Sequence, residues 1–245
     1  GGGVSNQSDS TFTMSGGLIA GNTVTNSGIG AGGGVFNNAT FTMSGGKIGG
    51  SEAGMNTSAN LGGGVYTSGT FTMSGSAEVS YNTATQQGGG VYNNGTFNMY
   101  AGHIYRDGDQ GGVGVVVEHG GGVLNNGTFN MYGGSIRNNG RVSSVGSDVG
   151  VRYGGGVYVG TSGTFTMTGG DIMGNSVIIG GQGSAIYVDD GGTLKLGKNA
   201  QIRNNNSASS IVFANDSDSI SIISRLSDSA KIDIIGLSTS RITET

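Results

Sequence analysis

The chain of 245 residues has no cysteine, which excludes disulfides and thiolate metal sites and suits a protein that must ignore the redox state around it. Charge is scarce as well: Asp, Glu, Lys and Arg make up 11% of the residues, and the formal net charge is −4. The 11 Lys and Arg are scattered and form no basic run, which argues against a nucleic-acid partner. The longest apolar stretch, around Val113 to Val117, is far too short to span a membrane. No window carries apolar residues at helical spacing over three turns, and each of the 54 glycines would cost about 1 kcal/mol inside a helix. There is no N-terminal signal segment. Because Gly1 falls on the first residue of a repeat, the expectation is an excised or processed segment whose targeting sequence lay upstream.

What the chain has instead is repetition. The phrase GGGVYNNGTFNM from Gly88 recurs as GGGVFNNATFTM from Gly32, GGGVYTSGTFTM from Gly62, GGGVLNNGTFNM from Gly120 and, eroded, as GSAIYVDDGGTLKL from Gly183. Its key column is Val4, Val35, Val65, Val91, Val123, Val157, Ile186 and Ile211, 25 to 34 residues apart. A second phrase follows each copy, among them SGGLIAGN at Ser15, SGGKIGGS at Ser44 and TGGDIMGN at Thr168. Each repeat therefore holds three short apolar pulses separated by Gly, Asn and Ser. Within Thr11-Phe12-Thr13-Met14 apolar and polar residues alternate strictly, the period of a half-buried strand. Three strands per repeat of about 30 residues predict an all-β fold, a right-handed parallel β-helix with three strands per coil and about eight coils. At about 4.8 Å per coil such a rod is roughly 38 Å long. An unbroken repeat argues for one solenoid over residues 1–245, with regular coils over 1–180 and eroded closing coils and a C-terminal cap over 181–245.

The Val, Phe, Met and Ile columns hardly vary, as expected where one volume is filled from coil to coil, so they are placed inward. The column after Val (Ser5, Phe36, Tyr66, Tyr92, Leu124, Tyr158, Tyr187) then points outward as an aromatic ladder. A column of Asn22, Ser51, Asn82, Asp107, Asn139, Asn175 and Asn205 follows the last strand, where stacked Asn side chains in a turn bond the backbones above and below. Gly21, Gly50 and Gly174 before it suit a left-handed φ.

Together the two phrases, ending in the more apolar Ile220-Ser221-Ile222-Ile223 and Ala230-Lys231-Ile232-Asp233-Ile234-Ile235, resemble the β-helix repeats of large bacterial cell-surface and adhesin-like proteins, akin to the polymorphic outer-membrane proteins. The resemblance covers nearly the whole chain. It implies an exported rod on the bacterial cell surface, without a cofactor, whose partners are a host or environmental glycan or protein, or neighbouring domains of the same large protein.

Chemistry is sparse along the repeat. Lyase- and hydrolase-type β-helices cluster carboxylates with Arg or Lys on one strand face, to hold calcium or act as acid and base. Here the first hundred residues contain only Asp9, Glu52 and Glu78. The one concentration lies in two long turns, 105–119 and 141–153, which leave adjacent coils at one corner and offer Arg106, Asp107, Asp109, Glu118, His119, Asp148 and Arg152. A solvated pair of loops is the simpler reading, although long loops are where solenoids carry function. His103 sits in a mixed polar column and reads as a surface histidine. Asp107-Gly108-Asp109 and Asp216-Ser217-Asp218 lack the six or more oxygens that calcium takes, so no metal site is expected. Gly28, Gly30 and Gly33 match G-x-G-x-x-G, yet no helix follows to hold a pyrophosphate.

Two surface arrays remain. Thr11, Thr40, Thr70, Thr96, Thr128, Thr164 and Thr193 form an outward column, and Thr13, Thr42, Thr72 and Thr166 run beside it with Asn98, Asn130 and Lys195 as interruptions. Strand geometry spaces these side chains about 6.6 Å along a strand and about 4.8 Å between coils, a lattice like the Thr-x-Thr arrays of ice-binding solenoids. Exposed-strand propensity alone also favours Thr. The other array is the ladder of Phe36, Tyr66, Tyr92, Tyr158 and Tyr187, which can stack on sugar rings, on a protein, or on itself. The sequence thus points to a non-catalytic extracellular surface rod used as stalk or adhesive face, with an ice binder and a polysaccharide-cleaving β-helix as rivals.

Overall fold

The computed structural model describes residues 1–25, 31–108, 116–140, 150–205, 210–215, 218–232 and 242–244. Every strand pairing among them is parallel, and three main sheets of eight, nine and eight strands stack coil upon coil into a β-solenoid of about seven turns. The first sheet runs from Val4–Asn6 to Ile211–Phe213, the second from Thr11–Met14 to Ile242–Glu244, and the third from Leu18–Ile19 to Lys231–Ile232. The only helical piece among the described residues is a single 3-10 turn at Glu52–Gly54. Short strands add a fourth segment at the corner between third and first sheets: Thr23–Val24, Thr57–Ser58 and Thr83–Ala84 pair as one small sheet, Val116–His119 and Gly150–Tyr153 as another.

Registers hold residue on residue, so that Phe71 pairs with Phe41 on one side and Phe97 on the other. Identical side chains then meet at the strand spacing. From Phe12 to Phe165 the rings stack at centroid distances of 4.6 to 4.9 Å, and from Phe41 onward they are fully buried. The inward Val, Met and Ile columns close the same core. Beyond Gly183 the coils keep this register, with Leu194 on Phe165 and Ile220 on Leu194. One irregularity occurs there, a register shift between Leu196 and Lys198.

Two asparagine ladders line the core's corners. The one at the third-to-first corner is Asn22, Asn56, Asn82, Asp107, Asn139, Asn175 and Asn205, in which each Asn amide reaches a carbonyl in the preceding coil or the oxygen of the next member, as Asn82 does to Ile48 O at 3.0 Å. Asn56 takes the place predicted for Ser51, because residues 50–55 bulge outward through the 3-10 turn before the chain rejoins the column. The residue before each ladder member except Asn56 takes a left-handed φ, from 53° to 70°, at Gly21, Tyr81, Arg106, Asn138, Gly174 and Asn204, while Met55 before Asn56 is extended with φ −64°. The glycine triplets belong to the same corner. Gly62 has φ +61, and a Cβ on Gly63 would lie 2.3 Å from the Thr83 backbone, while one on Gly64 would lie 2.9 Å from the Asn82 amide.

The second ladder was not read from the sequence. Asn6, Asn37, Thr67, Asn93 and Asn125 occupy the third position of the first-sheet strands and are buried, with Asn93 donating to Asn125 at 2.6 Å.

Candidate functional site

The second position of each first-sheet strand puts Phe36, Tyr66, Tyr92, Leu124, Tyr158 and Tyr187 in one register line on the outer face. These rings lie flat on one another. Phe36, Tyr66 and Tyr92 form one stack, with centroids 5.2 and 5.4 Å apart, and Tyr158 and Tyr187 form another at 5.4 Å and 10°. Ring faces are thereby turned towards neighbouring coils, and edges and hydroxyls towards solvent. Leu124 breaks the ladder and is buried at 1% exposure, and Tyr158 is buried at 8%.

The cover at the break comes from the two long turns. Val117 and Val151, both fully buried, anchor their returning strands in register, and His119 and Tyr153 follow two residues later and lean over the ladder. His119 stacks on Tyr153 at 5.6 Å and meets Tyr158 at 4.4 Å with the rings tilted by 58°. A recess of about 530 Å³ results. Its floor is Leu124, Tyr158 and Tyr187; Gln87, His119 and Tyr153 make one wall, and Asn126, Gly160, Thr161 and Asp189 the other. Tyr158 donates its hydroxyl hydrogen to Asp189 Oδ2 at 2.8 Å, and Asp189 Oδ1 accepts the backbone N–H of Asp190 at 3.0 Å. Asn126 donates to the Tyr92 hydroxyl at 2.9 Å and lies so close to Gly160 that a Cβ there would sit 1.9 Å from its Oδ1.

Burial holds His119 below its ordinary 6.5, so the ring is neutral at pH 7. Burial, then the hydrogen bond to Asp189, pushes the Tyr158 hydroxyl far above its ordinary range, and burial raises Tyr92 and Tyr187 too. The recess therefore offers protonated phenols, amides and one carboxylate, with no cation in its lining.

Of the acid and base groups foreseen in the long turns, Glu118, His119 and Arg152 lie near one another on the paired strands Val116–His119 and Gly150–Tyr153. Asp107 is fully buried in the asparagine ladder, Arg106 lies over the Tyr81 ring, and Glu118 and Arg152 are exposed. Asp109, Asp148 and most of both turns lie outside the described residues, as do Gly28, Gly30, Asp216 and Ser217. Among the described residues no group of three or more His, Cys, Asp or Glu is placed to hold a metal, and no helix is long and apolar enough to cross a membrane. His103 is half-buried and bonds Ser135 at 2.8 Å, beside a Lys47–Glu78 ion pair at 2.6 Å.

The threonine columns lie on the outer face of the second sheet. Thr11, Thr13, Thr40 and Thr128 are exposed and Thr42, Thr70, Thr72, Thr96, Thr164 and Thr166 partly so, while Asn98 and Asn130 bond each other at 3.0 Å. Two aromatic side chains outside the ladder escaped the sequence reading. Tyr100 and Tyr132, 53% and 47% exposed, stack at 4.9 Å where the second sheet turns into the third. Their signal was present in the column Ser15, Ser44, Ser74, Tyr100, Tyr132, where rings replace serine.

No protein-family model matches the chain, nor does any curated protein or solved structure.

Proposed function

We propose that the chain is a non-catalytic binding rod, part of a larger extracellular protein of a bacterial surface, and that its contact face is the outer side of the first sheet. The observation that carries this reading is the recess in which His119 and Tyr153, brought from two long turns, cover the break in the aromatic ladder. There the two long turns depart from the repeat and build a concavity. The burial of Asp107, a carboxylate that catalysis would need in solvent, speaks against a polysaccharide-cleaving role. The test is binding of the purified chain to arrayed glycans and extracellular-matrix proteins. Retention that falls with Tyr187→Ala supports the reading, and absence of any retention refutes it.

A second reading, ice binding, is favoured by the exact register of the threonine columns, with Thr70 on Thr40 and Thr72 on Thr42. Thermal hysteresis measured on the same sample tests it.

A further inference from the structure

We infer that the recess over Leu124 is a subsite for an uncharged saccharide chain, recognised through adjacent hydroxyls by Asp189; this rests on the reading of the first sheet's outer face as the contact surface. An ionised carboxylate has about four acceptor positions. At Asp189 one is taken by the Tyr158 hydroxyl and one by the Asp190 N–H, so the group is held in place with acceptor capacity left at the rim of the recess. A pair of neighbouring hydroxyls donating to one carboxylate uses that capacity in full. Gln87 and Asn126 on the two walls add amides, which both donate and accept, as sugar hydroxyls do.

Three features choose this class over its competitors. An aromatic cage for an organic cation needs open ring faces turned to the ligand, but His119 lies on Tyr153 at 17° and Tyr158 on Tyr187 at 10°, so the rings offer it mainly edges. An acidic glycan would meet Asp189 with no lining cation to offset it, and Asp190 and Glu118 nearby outnumber Arg152. An apolar ligand would cover the polar rim without pairing it. The shape also matches a chain. Gln87, His119 and Tyr153 are successive steps of one register line, and two steps span about 10 Å along the rod, longer than a single sugar ring.

The experiment is calorimetric titration of the whole chain with cellohexaose, mannohexaose, galactohexaose and hexagalacturonate, with immobilised matrix proteins as a parallel arm. At least one neutral hexasaccharide should bind, and Asp189→Asn should weaken it by about tenfold or more, the usual worth of a hydrogen bond to a charged group. The asparagine's single oxygen can still accept from Tyr158 while the exposed Asp190 N–H turns to water, so a melting temperature close to the parent's marks the loss as one of binding. Tyr187→Ala should weaken it too, and Thr70→Val should not. Preference for hexagalacturonate, or for a matrix protein, with the same dependence on Tyr187 overturns the neutral-saccharide assignment and leaves the contact face standing. Binding of a neutral hexasaccharide that is indifferent to Asp189→Asn overturns the assignment as well, and binding of nothing in either arm overturns both.

Discussion

One carboxylate oxygen of Asp107 accepts both the backbone N–H and the side-chain amide of Asn82, at 2.7 and 3.0 Å, while its other oxygen is buried without a hydrogen-bond partner. Its neighbours in the ladder use that second position to donate: Asn139 reaches Ile104 O at 3.2 Å and Asn175 reaches Ile136 O at 3.0 Å. A carboxylate has no hydrogen to give there. Burial accordingly holds the Asp107 carboxyl well above its ordinary 3.8.

The folded state therefore keeps a proton that the unfolded chain releases above about pH 4, so Asp107 costs nothing below that value and lowers stability as pH rises towards its folded value. Asp107→Asn removes this dependence and supplies a donor at every pH. It should raise stability at pH 7 by about 1–3 kcal/mol. The gain should shrink towards pH 4, and urea melts of both proteins at the two pH values would show it. A variant no more stable than the parent at pH 7 would count against the account.

The phenylalanine stack carries a second prediction, because its members differ in burial alone. Phe97 is fully buried between Phe71 and Phe129, at 4.8 and 4.6 Å, whereas Phe12 ends the stack and is partly exposed. Phe97→Ala should cost about 3–5 kcal/mol through the cavity it opens. Phe12→Ala, with a neighbour on one side only, should cost less than half of that. Equal losses in chemical denaturation would contradict a stack that fills one continuous core.

What could be read from the sequence was whatever repeats. A conserved volume at Val91, Phe97 and Ile104 has one explanation, a shared core, and alternation around Phe97 told which side faced it. Asn93 was harder, because an Asn beside a turn looks solvated; only the alternation Val91 in, Tyr92 out, Asn93 in would have exposed it as buried. The recess was illegible for another reason. His119 and Tyr153 sit in turns of unequal length, so no column aligned them, and their meeting with Tyr158 depends on the path of the two returning strands.

Asn93 supplies the third prediction. Its amide donates to Asn125 at 2.6 Å and to Thr128 O at 3.0 Å, and its oxygen accepts the Gly95 N–H at 3.2 Å, all across or beside the first sheet's edge. Asn93→Val keeps the volume but strands these partners, at a cost of about 1–3 kcal/mol. The same column continues past the ladder to Val188, whose register neighbours are Val159 and Phe213. Val188→Asn should therefore also destabilise, by burying an amide without a ladder. Thermal melts of both single variants check the pair, and tolerance of either exchange would mean that the ladder has no preference for its own sequence.

The last prediction separates the two exposed arrays. If the first sheet's recess is the contact, saccharide retention should fall with Tyr187→Ala and change little with Tyr66→Ala, since Tyr66 lies in the other stack between Phe36 and Tyr92. Tyr92→Ala should have an intermediate effect: its ring is outside the recess, but its hydroxyl holds the Asn126 amide at 2.9 Å on one wall. An ice-binding face makes the opposite demand, surviving all three changes and failing when Thr70 and Thr72 are enlarged. The lattice it would use is interrupted in mid-face, where Asn98 and Asn130 bond each other at 3.0 Å instead of presenting hydroxyls, and again at Lys195. Thermal hysteresis should accordingly be absent from the parent chain. Hysteresis that is present and lost with Thr70→Tyr would transfer the function to the second sheet, whatever the tyrosine variants do.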